Sequence, residues 1–383
     1  MGNLYTFKVT NSFSRENLNY KNGTVKNIHY GDIHTKFQTL FDVSKESVPF
    51  INPDISIDRI TEDNYCQEGD LILADASEDL TDVGKSIEVI NLNNEKMLSG
   101  LHTILARPTL EKISIGFSGY LFKSYQVRTQ IQKESQGSKV LSISSTRLSN
   151  ISLVIPSNEE QQKIASIFTF IDSKLQSLKQ KKALLEKYKK GVMQKLFSQE
   201  IRFKDDTSTT LSAGNGKEFP EWKKKKLGEV LTIGSGKDYK HLELGDIPVF
   251  GTGGYMTSVN AYLHDGETVC IGRKGTIDSP MYYNGKIWTV DTLFYTHSFI
   301  NSIPKFIYYV FQTINWKEYN EASGVPSLSK STIEKILMSI PCHAEQTKIA
   351  NFLSSIDEKI NRTENQIQQT QKWKKGLLQK MFC

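Results

Sequence analysis

The stretch Pro156-Ser-Asn-Glu-Glu160-Gln161-Gln-Lys163-Ile164-Ala165 returns 185 residues later as Pro341-Cys-His-Ala-Glu345-Gln346-Thr-Lys348-Ile349-Ala350. The register then holds without a gap to Lys189-Lys190-Gly191-Val-Met-Gln194-Lys195-Leu-Phe197 and to Lys374-Lys375-Gly376-Leu-Leu-Gln379-Lys380-Met-Phe382. Chance does not keep register that long, so the chain carries an internal repeat. In the first copy Ile164, Ile171, Leu178, Leu185 and Val192 recur every seven residues. Phe168, Leu175 and Leu196 form a second seam, with Lys182 and Lys189 filling its gaps. This a/d spacing predicts a long helix that seeks a helical partner. The second copy keeps Ile349, Leu353, Ile356, Ile360, Ile367, Leu377 and Met381 but places Thr363 and Thr370 on the first seam, which weakens its middle. Its expected partner is the first copy. At 1.5 Å per residue the run from Glu159 to Phe197 is roughly 58 Å long, more than one packing face needs.

Each copy alone also suits a helix covering the sheet of its own domain; two gapless copies, each after a domain of similar length, favour spacer rods. Five segments follow: a globular domain over 1–155, a helical spacer over 156–200, a linker over 201–220, a second domain over 221–340 and a second spacer over 341–383. The linker contains Thr207-Ser-Thr-Thr-Leu-Ser-Ala-Gly-Asn-Gly216, a composition typical of exposed connections. The domains echo one another loosely. Met1-Gly2-Asn3-Leu4 matches Leu227-Gly228-Glu229-Val230, Glu68-Gly69-Asp70 matches Asp265-Gly266-Glu267, and Leu141-Ser142-Ile143-Ser144 stands where Pro326-Ser327-Leu328-Ser329 stands. Short β-rich runs predict strands at Leu71–Leu73, Ile87–Ile90, Val269–Ile271 and Leu293–Thr296; Tyr120–Gln130 and Lys305–Thr313 read as helices. Each half is therefore a mixed α+β domain followed by a rod.

Composition narrows the function. The 383 residues are 38% hydrophobic and 23% charged, which is enough for two or three packed cores and excludes wholesale disorder. The first thirty residues are polar and asparagine-rich, and no run of about eighteen apolar residues occurs, so neither a secretory signal nor a membrane span is expected. The expected location is the cytoplasm. Cys66, Cys270, Cys342 and Cys383 are too scattered for a zinc knuckle or a disulfide framework. Net charge is +6, and its excess sits in the rods: 9 basic against 5 acidic residues over 156–200 and 7 against 4 over 341–383.

Catalytic motifs are missing. Gly234-Ser-Gly236-Lys237 has Leu231 and Asp238 where a phosphate loop requires Gly and Ser/Thr. No dinucleotide fingerprint and no Gly-x-Ser-x-Gly elbow occurs. Asn52-Pro53-Asp54 lacks the second proline and the aromatic ring of an adenine-amino methyltransferase, and no Glu-x-Lys completes a nuclease site after Pro53-Asp54. His29 and His34 are five apart, poor spacing for a metal on one helical face.

The doubled Pro-x4-Gln-x-Lys-Ile-Ala entries, the Lys-Lys-Gly-x-x-Gln-Lys-x-Phe exits and the Trp222-Lys-Lys-Lys-Lys-Leu-Gly228-Glu opening together resemble the specificity subunits of type I restriction-modification systems over essentially the whole chain. The resemblance implies two mixed α/β target-recognition domains alternating with two long helices that pair as an antiparallel coiled coil, an α+β fold with a pseudo-two-fold internal repeat. It implies a subunit without chemistry of its own, reading one half of a split, asymmetric DNA site with each domain. Its partners would be double-stranded DNA, two methyltransferase subunits and restriction/translocase subunits, with S-adenosylmethionine, ATP and magnesium bound by those partners and none by this chain. One departure stands out: the second domain has the leader Glu221-Trp222-Lys-Lys-Lys-Lys226, whereas the first begins at Met1, so an equivalent lead-in strand is expected to be missing.

Within that resemblance, amides, bases and aromatics concentrate on an expected loop of the first domain: Arg15, Asn19, Lys21, Asn22, Lys26, His29, Tyr30, His34 and Lys36. Asn pairs bidentately with adenine, and Arg and Lys with guanine; all also hold phosphates. Gly31-Asp32-Ile33 reads as a turn. In the second domain the candidates are Ser235, Lys237, Tyr239, Lys240, Tyr255, Arg273 and Lys274, on glycine-punctuated loops that also suit tight turns between strands. Lys223 to Lys226 read as solvated. The competing class is a coiled-coil protein–protein adaptor with no DNA-reading role.

Overall fold

The structure, a computed structural model, describes residues 1–109, 111–205 and 217–382. It divides into two compact units, residues 1–179 with 365–383 and residues 180–364. Thr207–Gly216 of the expected linker lies outside the described residues; on either side of it, Lys204–Asp205 pairs with Lys217–Glu218.

In unit 1 the strand Leu71–Ala74 is apolar at every position and buried on both faces. Strand side chains alternate, so Leu71 and Leu73 enter one core with Tyr120, Phe168 and Ile171, while Ile72 and Ala74 enter another with Ile28, Phe41 and Ile87. This strand is the middle of a five-stranded sheet in the order Tyr5–Lys8, Thr103–Pro108, Leu71–Ala74, Ser86–Asn91, Leu40–Asp42. The first three neighbour pairs are antiparallel and the last is parallel. A four-stranded sheet containing Val25–Ile28 and Lys96–Ser99 adds Ile28 and Met97 to the second core.

Unit 2 follows the same plan. Its strands run Thr232–Ser235, Leu293–His297, His264–Gly272, Met281–Thr289, Leu244–Gly251, again three antiparallel pairs and then a parallel one, with Gly254–Val259 added as a hairpin. The repeat therefore extends beyond the rods to the order and sense of the sheet strands. All four expected strands lie inside these elements, and the helix expected over Lys305–Thr313 is Pro304–Thr313.

Two local expectations are corrected. Tyr120–Gln130 is not one helix: Ser118–Leu121 ends, and Tyr125–Glu134 begins behind an extended Ser124 whose hydroxyl accepts from the Val127 amide at 3.4 Å. The stretch from Arg15 to Lys36 is not a loop, and Gly31-Asp32-Ile33 is not a turn. It holds the strands Leu18–Asn19 and Val25–Ile28 and the helix Tyr30–Thr35, organised by side-chain amides (Asn19 to Asn52, 2.9 Å; Asn11 to Asn27, 2.7 Å) and by the buried Asp32 carboxylate.

The rods are single helices, Asn158–Phe197 and His343–Met381, and each unit holds the N-terminal part of one and the C-terminal part of the other. In unit 1 Phe168 stacks on Phe382 and Asp172 pairs with Lys374; in unit 2 Lys182 pairs with Glu364 and Lys189 with Asp357, both at 2.7 Å. Numbers rise on one helix as they fall on the other, so the pairing is antiparallel in each unit. Among seam residues, Ile164, Phe168, Ile171, Leu175 and Ile367 are buried in unit 1, where Leu178 and Leu377 are partly so. In unit 2 Val192, Ile349, Leu353 and Ile356 are buried, and Leu185 and Ile360 are partly so. Thr363 is tolerated on the buried seam because its hydroxyl donates to the Lys359 carbonyl at 2.8 Å.

The repeated sequence has local causes. Gln161 and Gln346, both fully buried, each accept from the backbone of a preceding loop (Ser114 at 2.8 Å, Ile303 at 2.9 Å) and donate back to the Pro156 and Pro341 carbonyls at 3.0 Å. A second repeated device joins each domain to the rods. The Tyr120 hydroxyl donates to Asp172 (3.0 Å), which also pairs with Lys374; the Tyr309 hydroxyl donates to Asp357 (2.8 Å), which also pairs with Lys189. Each lysine also lies over the tyrosine ring, at 5.5 and 5.1 Å.

Lys223–Lys226 forms a strand against Leu337–Ile340, with three of its four side chains exposed. The stretch 152–155, at the repeat offset, belongs to no strand, and the Met1 amino group donates to the Ser149 carbonyl at 3.1 Å and to that of Ile151. Among the described residues no helix is long and apolar enough to cross a membrane.

Candidate nucleic-acid interface

In unit 2 the central strand His264–Gly272 ends on Arg273 and Lys274, which lie exposed on a short turn. Backbone bonds fix that turn: the Arg273 amide donates to the Thr292 carbonyl (2.8 Å), the Arg273 carbonyl accepts from Leu328 (2.8 Å) and Gly275 donates to Pro326 (2.8 Å). Gly272 is required because a Cβ there would sit 2.0 Å from the Thr276 carbonyl oxygen. The turn opens on a cleft of about 580 Å³ lined by Ser235, Arg273, Lys274, Glu321, Ser329 and Lys330, among others. Arg273 lies over the Phe294 ring at 5.8 Å and its guanidinium donates to the Asp291 carbonyl at 3.4 Å, with both partners also lining the cleft. The Glu321 carboxyl is held below its ordinary pKa by the hydroxyls of Thr332 and Ser329, so it stays an acceptor beside three cations. A cleft that offers fork-shaped and point cations together with hydroxyls matches the phosphates and base edges of a nucleic acid.

The remaining unit 2 candidates spread out. Lys237 and Lys240 are exposed, but Gly236 between Ser235 and Lys237 is a packing requirement, since a Cβ would meet the Val290 carbonyl oxygen at 1.9 Å. The Lys237 carbonyl accepts from the Trp288 indole (2.8 Å), and Tyr239 packs partly buried beside Trp288. Tyr255 is exposed near the tip of the hairpin whose Gly254 has φ +106°.

In unit 1 the structure separates residues that the sequence groups. Lys21 and Asn22 are exposed, whereas the Asn19 side-chain Oδ1 accepts from both their backbone amides (2.8 and 2.9 Å) and so shapes their turn. Lys26 pairs with Glu95 at 2.6 Å. Arg15 (2.8 Å) and Lys36 (2.9 Å) both pair with the buried Asp32; burial raises that carboxyl, but the two cations outweigh it and hold it below its ordinary value. His29 is buried, caps the helix Tyr30–Thr35 by accepting from Gly31 (3.2 Å), and is held below its ordinary pKa by burial and by Arg15. The Tyr30 ring contacts the rings of His29 (4.6 Å), His34 (6.0 Å) and His102 (5.3 Å). His102 was not among the expected residues: it sits on a turn far away in sequence, with φ +53° as its only local mark. Among the described residues no cluster of potential metal ligands occurs.

Comparison with known proteins accords with this geometry. The family model described as the type I restriction modification DNA specificity domain matches residues 14–187 and again 220–371. A putative type I restriction enzyme specificity subunit, MjaX, of Methanocaldococcus jannaschii is 25% identical over 323 residues, 74% of this chain and 71% of the relative. The MjaVIII specificity subunit of the same organism is 32% identical over 126 residues, 32% of this chain and 29% of the relative. The fold is similar to the crystal structure of a type I restriction-modification S subunit from M. genitalium (TM-score 0.65, 16% identity, covering 100% of this chain and 94% of that one). With one family model matching both halves of the chain, this protein belongs to the type I restriction-modification specificity family.

Proposed function

We propose that this chain is the non-catalytic reader of a type I restriction-modification complex, with one unit for each half of a bipartite, asymmetric DNA target. A single small module reads only a few base pairs, so a longer site calls for a repeated module; two sheets of one strand order with unlike end residues suit two unlike half-sites. The observation that carries the reading is the basic cleft of Arg273, Lys274 and Lys330 at a sheet end, in a chain whose halves both match a DNA specificity domain.

The repeat also supports partner docking. Lys190, Gln194 and Lys195 in one copy and Lys375, Gln379 and Lys380 in the other are all exposed, so core packing does not call for their identity. A partner that binds the same way twice does, which supports two methyltransferase subunits. Restriction/translocase subunits would join that assembly in the cytoplasm, and S-adenosylmethionine, ATP and magnesium would be bound by the partners. Sequencing methylated DNA from cells that carry only this chain and its methyltransferase tests the reading. One split motif with a fixed nonspecific gap is expected; a continuous motif, or none, would favour an adaptor without a DNA-reading role.

A further inference from the structure

The two units can be matched atom by atom at the strand end that opens on the unit 2 cleft. There the Arg273 amide donates to Thr292, the Arg273 carbonyl accepts from Leu328, and Ser329 caps the next helix. In unit 1 the Asp75 amide donates to His102 (3.1 Å), the Asp75 carbonyl accepts from Ile143 (2.9 Å), and Ser144 caps the next helix by accepting from Arg147 (3.3 Å). Both residues follow the middle strand of sheets with one order and sense. Asp75 thus stands where unit 2 has Arg273, and His102 where it has Thr292.

The substitution reverses the local chemistry. The His102 Nδ1 lies 3.3 Å from an Asp75 carboxylate oxygen. Facing His102 are Asp75 from the strand end, and Tyr30 with His29 behind it from the helix Tyr30–Thr35 and its cap. His34 meets Tyr30 from the next turn; its Nε2 lies 3.2 Å from the Ala76 carbonyl oxygen, while Lys85 and Asp82 pair beside it at 3.3 Å. Arg15 and Lys36 are occupied by Asp32. A bare carboxylate is repelled by phosphates, whereas one neutralised by a protonated imidazole is not, and it still accepts from an exocyclic amino group of a base. Histidine changes charge near neutrality.

Resting on the DNA-reading function above, we propose that Asp75 and His102 form the base-facing couple of unit 1, which accepts from a base amino group and binds its half-site with uptake of a proton. Unit 2, with Arg273 at the same position, reads its half without one. Recognition of the two halves then responds differently to pH.

The test uses the full chain assembled with its methyltransferase subunits and a pool of duplexes randomised over thirty base pairs, selected at pH 6 and pH 8 at constant ionic strength. Arg273→Ala identifies the unit 2 half as the one whose preference relaxes. For the other half, enrichment is expected to fall about five- to tenfold from pH 6 to pH 8, as uptake of one proton allows. His102→Asn, a residue that tolerates the left-handed backbone there, is expected to abolish that pH response and leave the unit 2 half intact. An equal pH response in both halves, no response in either, or a response that survives in His102→Asn would overturn the proton-linked couple while leaving the DNA-reading function standing. A pool with no enriched sequence at either pH would overturn both.

Discussion

At the scale of single residues, exposed cations and buried ions do different work. Arg273 and Lys274 are exposed at a strand end, and removing a bidentate base contact costs about 1–3 kcal/mol. Replacing both by Ala should therefore weaken only the half-site read by unit 2, in competition binding against half-site variants; equal loss at both halves would assign them to assembly instead. Asp32 is the opposite case, a fully buried carboxylate between two half-exposed cations. Asp32→Ala should lower the stability of unit 1 by about 2 kcal/mol at neutral pH, the partners' exposure softening the larger cost of breaking a fully buried pair. Because its folded pKa lies below the ordinary value, that contribution is present at neutral pH and is lost as pH falls below about 4. Urea unfolding at pH 7 and pH 3 should show the gap between wild type and variant closing in acid. Arg15 and Lys36 were legible in sequence as cations but not as the partners of Asp32, since nothing local marks a carboxylate as buried.

At the scale of elements, the rods were legible because seven-residue spacing survives in two copies. Between Arg15 and Lys36 the sequence reads as a loop because the strands there are two to four residues long and the helix six, too short to show a period, and because amide-to-amide bonds supply what apolar alternation normally supplies. The clamps joining domain to rod were invisible for a further reason: Tyr120, Asp172 and Lys374 come from three distant segments. Asp172→Ala should strip Tyr120 and Lys374 of their shared acceptor and cost unit 1 about 1–3 kcal/mol in denaturant unfolding, with Asp357→Ala doing the same in unit 2. Glu88 on the strand Ser86–Asn91 behaves differently. Burial pushes its carboxyl up to about 7, although the Gly119 and Gly116 amides (2.7 and 2.6 Å) pull it down. A raised folded value means the proton binds more tightly in the native state, so this group's contribution declines as pH rises from about 4.5 to 7. Thermal unfolding of Glu88→Gln should lack that decline; an unchanged pH slope would contradict it.

At the scale of the whole molecule, one sheet plan is used twice with different end residues, and the exposed Lys190, Gln194 and Lys195 of one rod recur as Lys375, Gln379 and Lys380 of the other. The first pattern suits unlike half-sites and the second suits like partners; under the proposed function the rods would set the gap between the two half-sites. The most direct test inserts seven residues after Lys179 and seven after Gln366, so that both helices lengthen by about 10.5 Å while the Asp172–Lys374 and Lys182–Glu364 pairs keep their partners. Methylated-DNA sequencing of this variant with its methyltransferase should return the same bases in both half-sites with the gap between them lengthened by about three base pairs, at 3.4 Å per pair; an unchanged gap would contradict the proposal that the rods set the spacing.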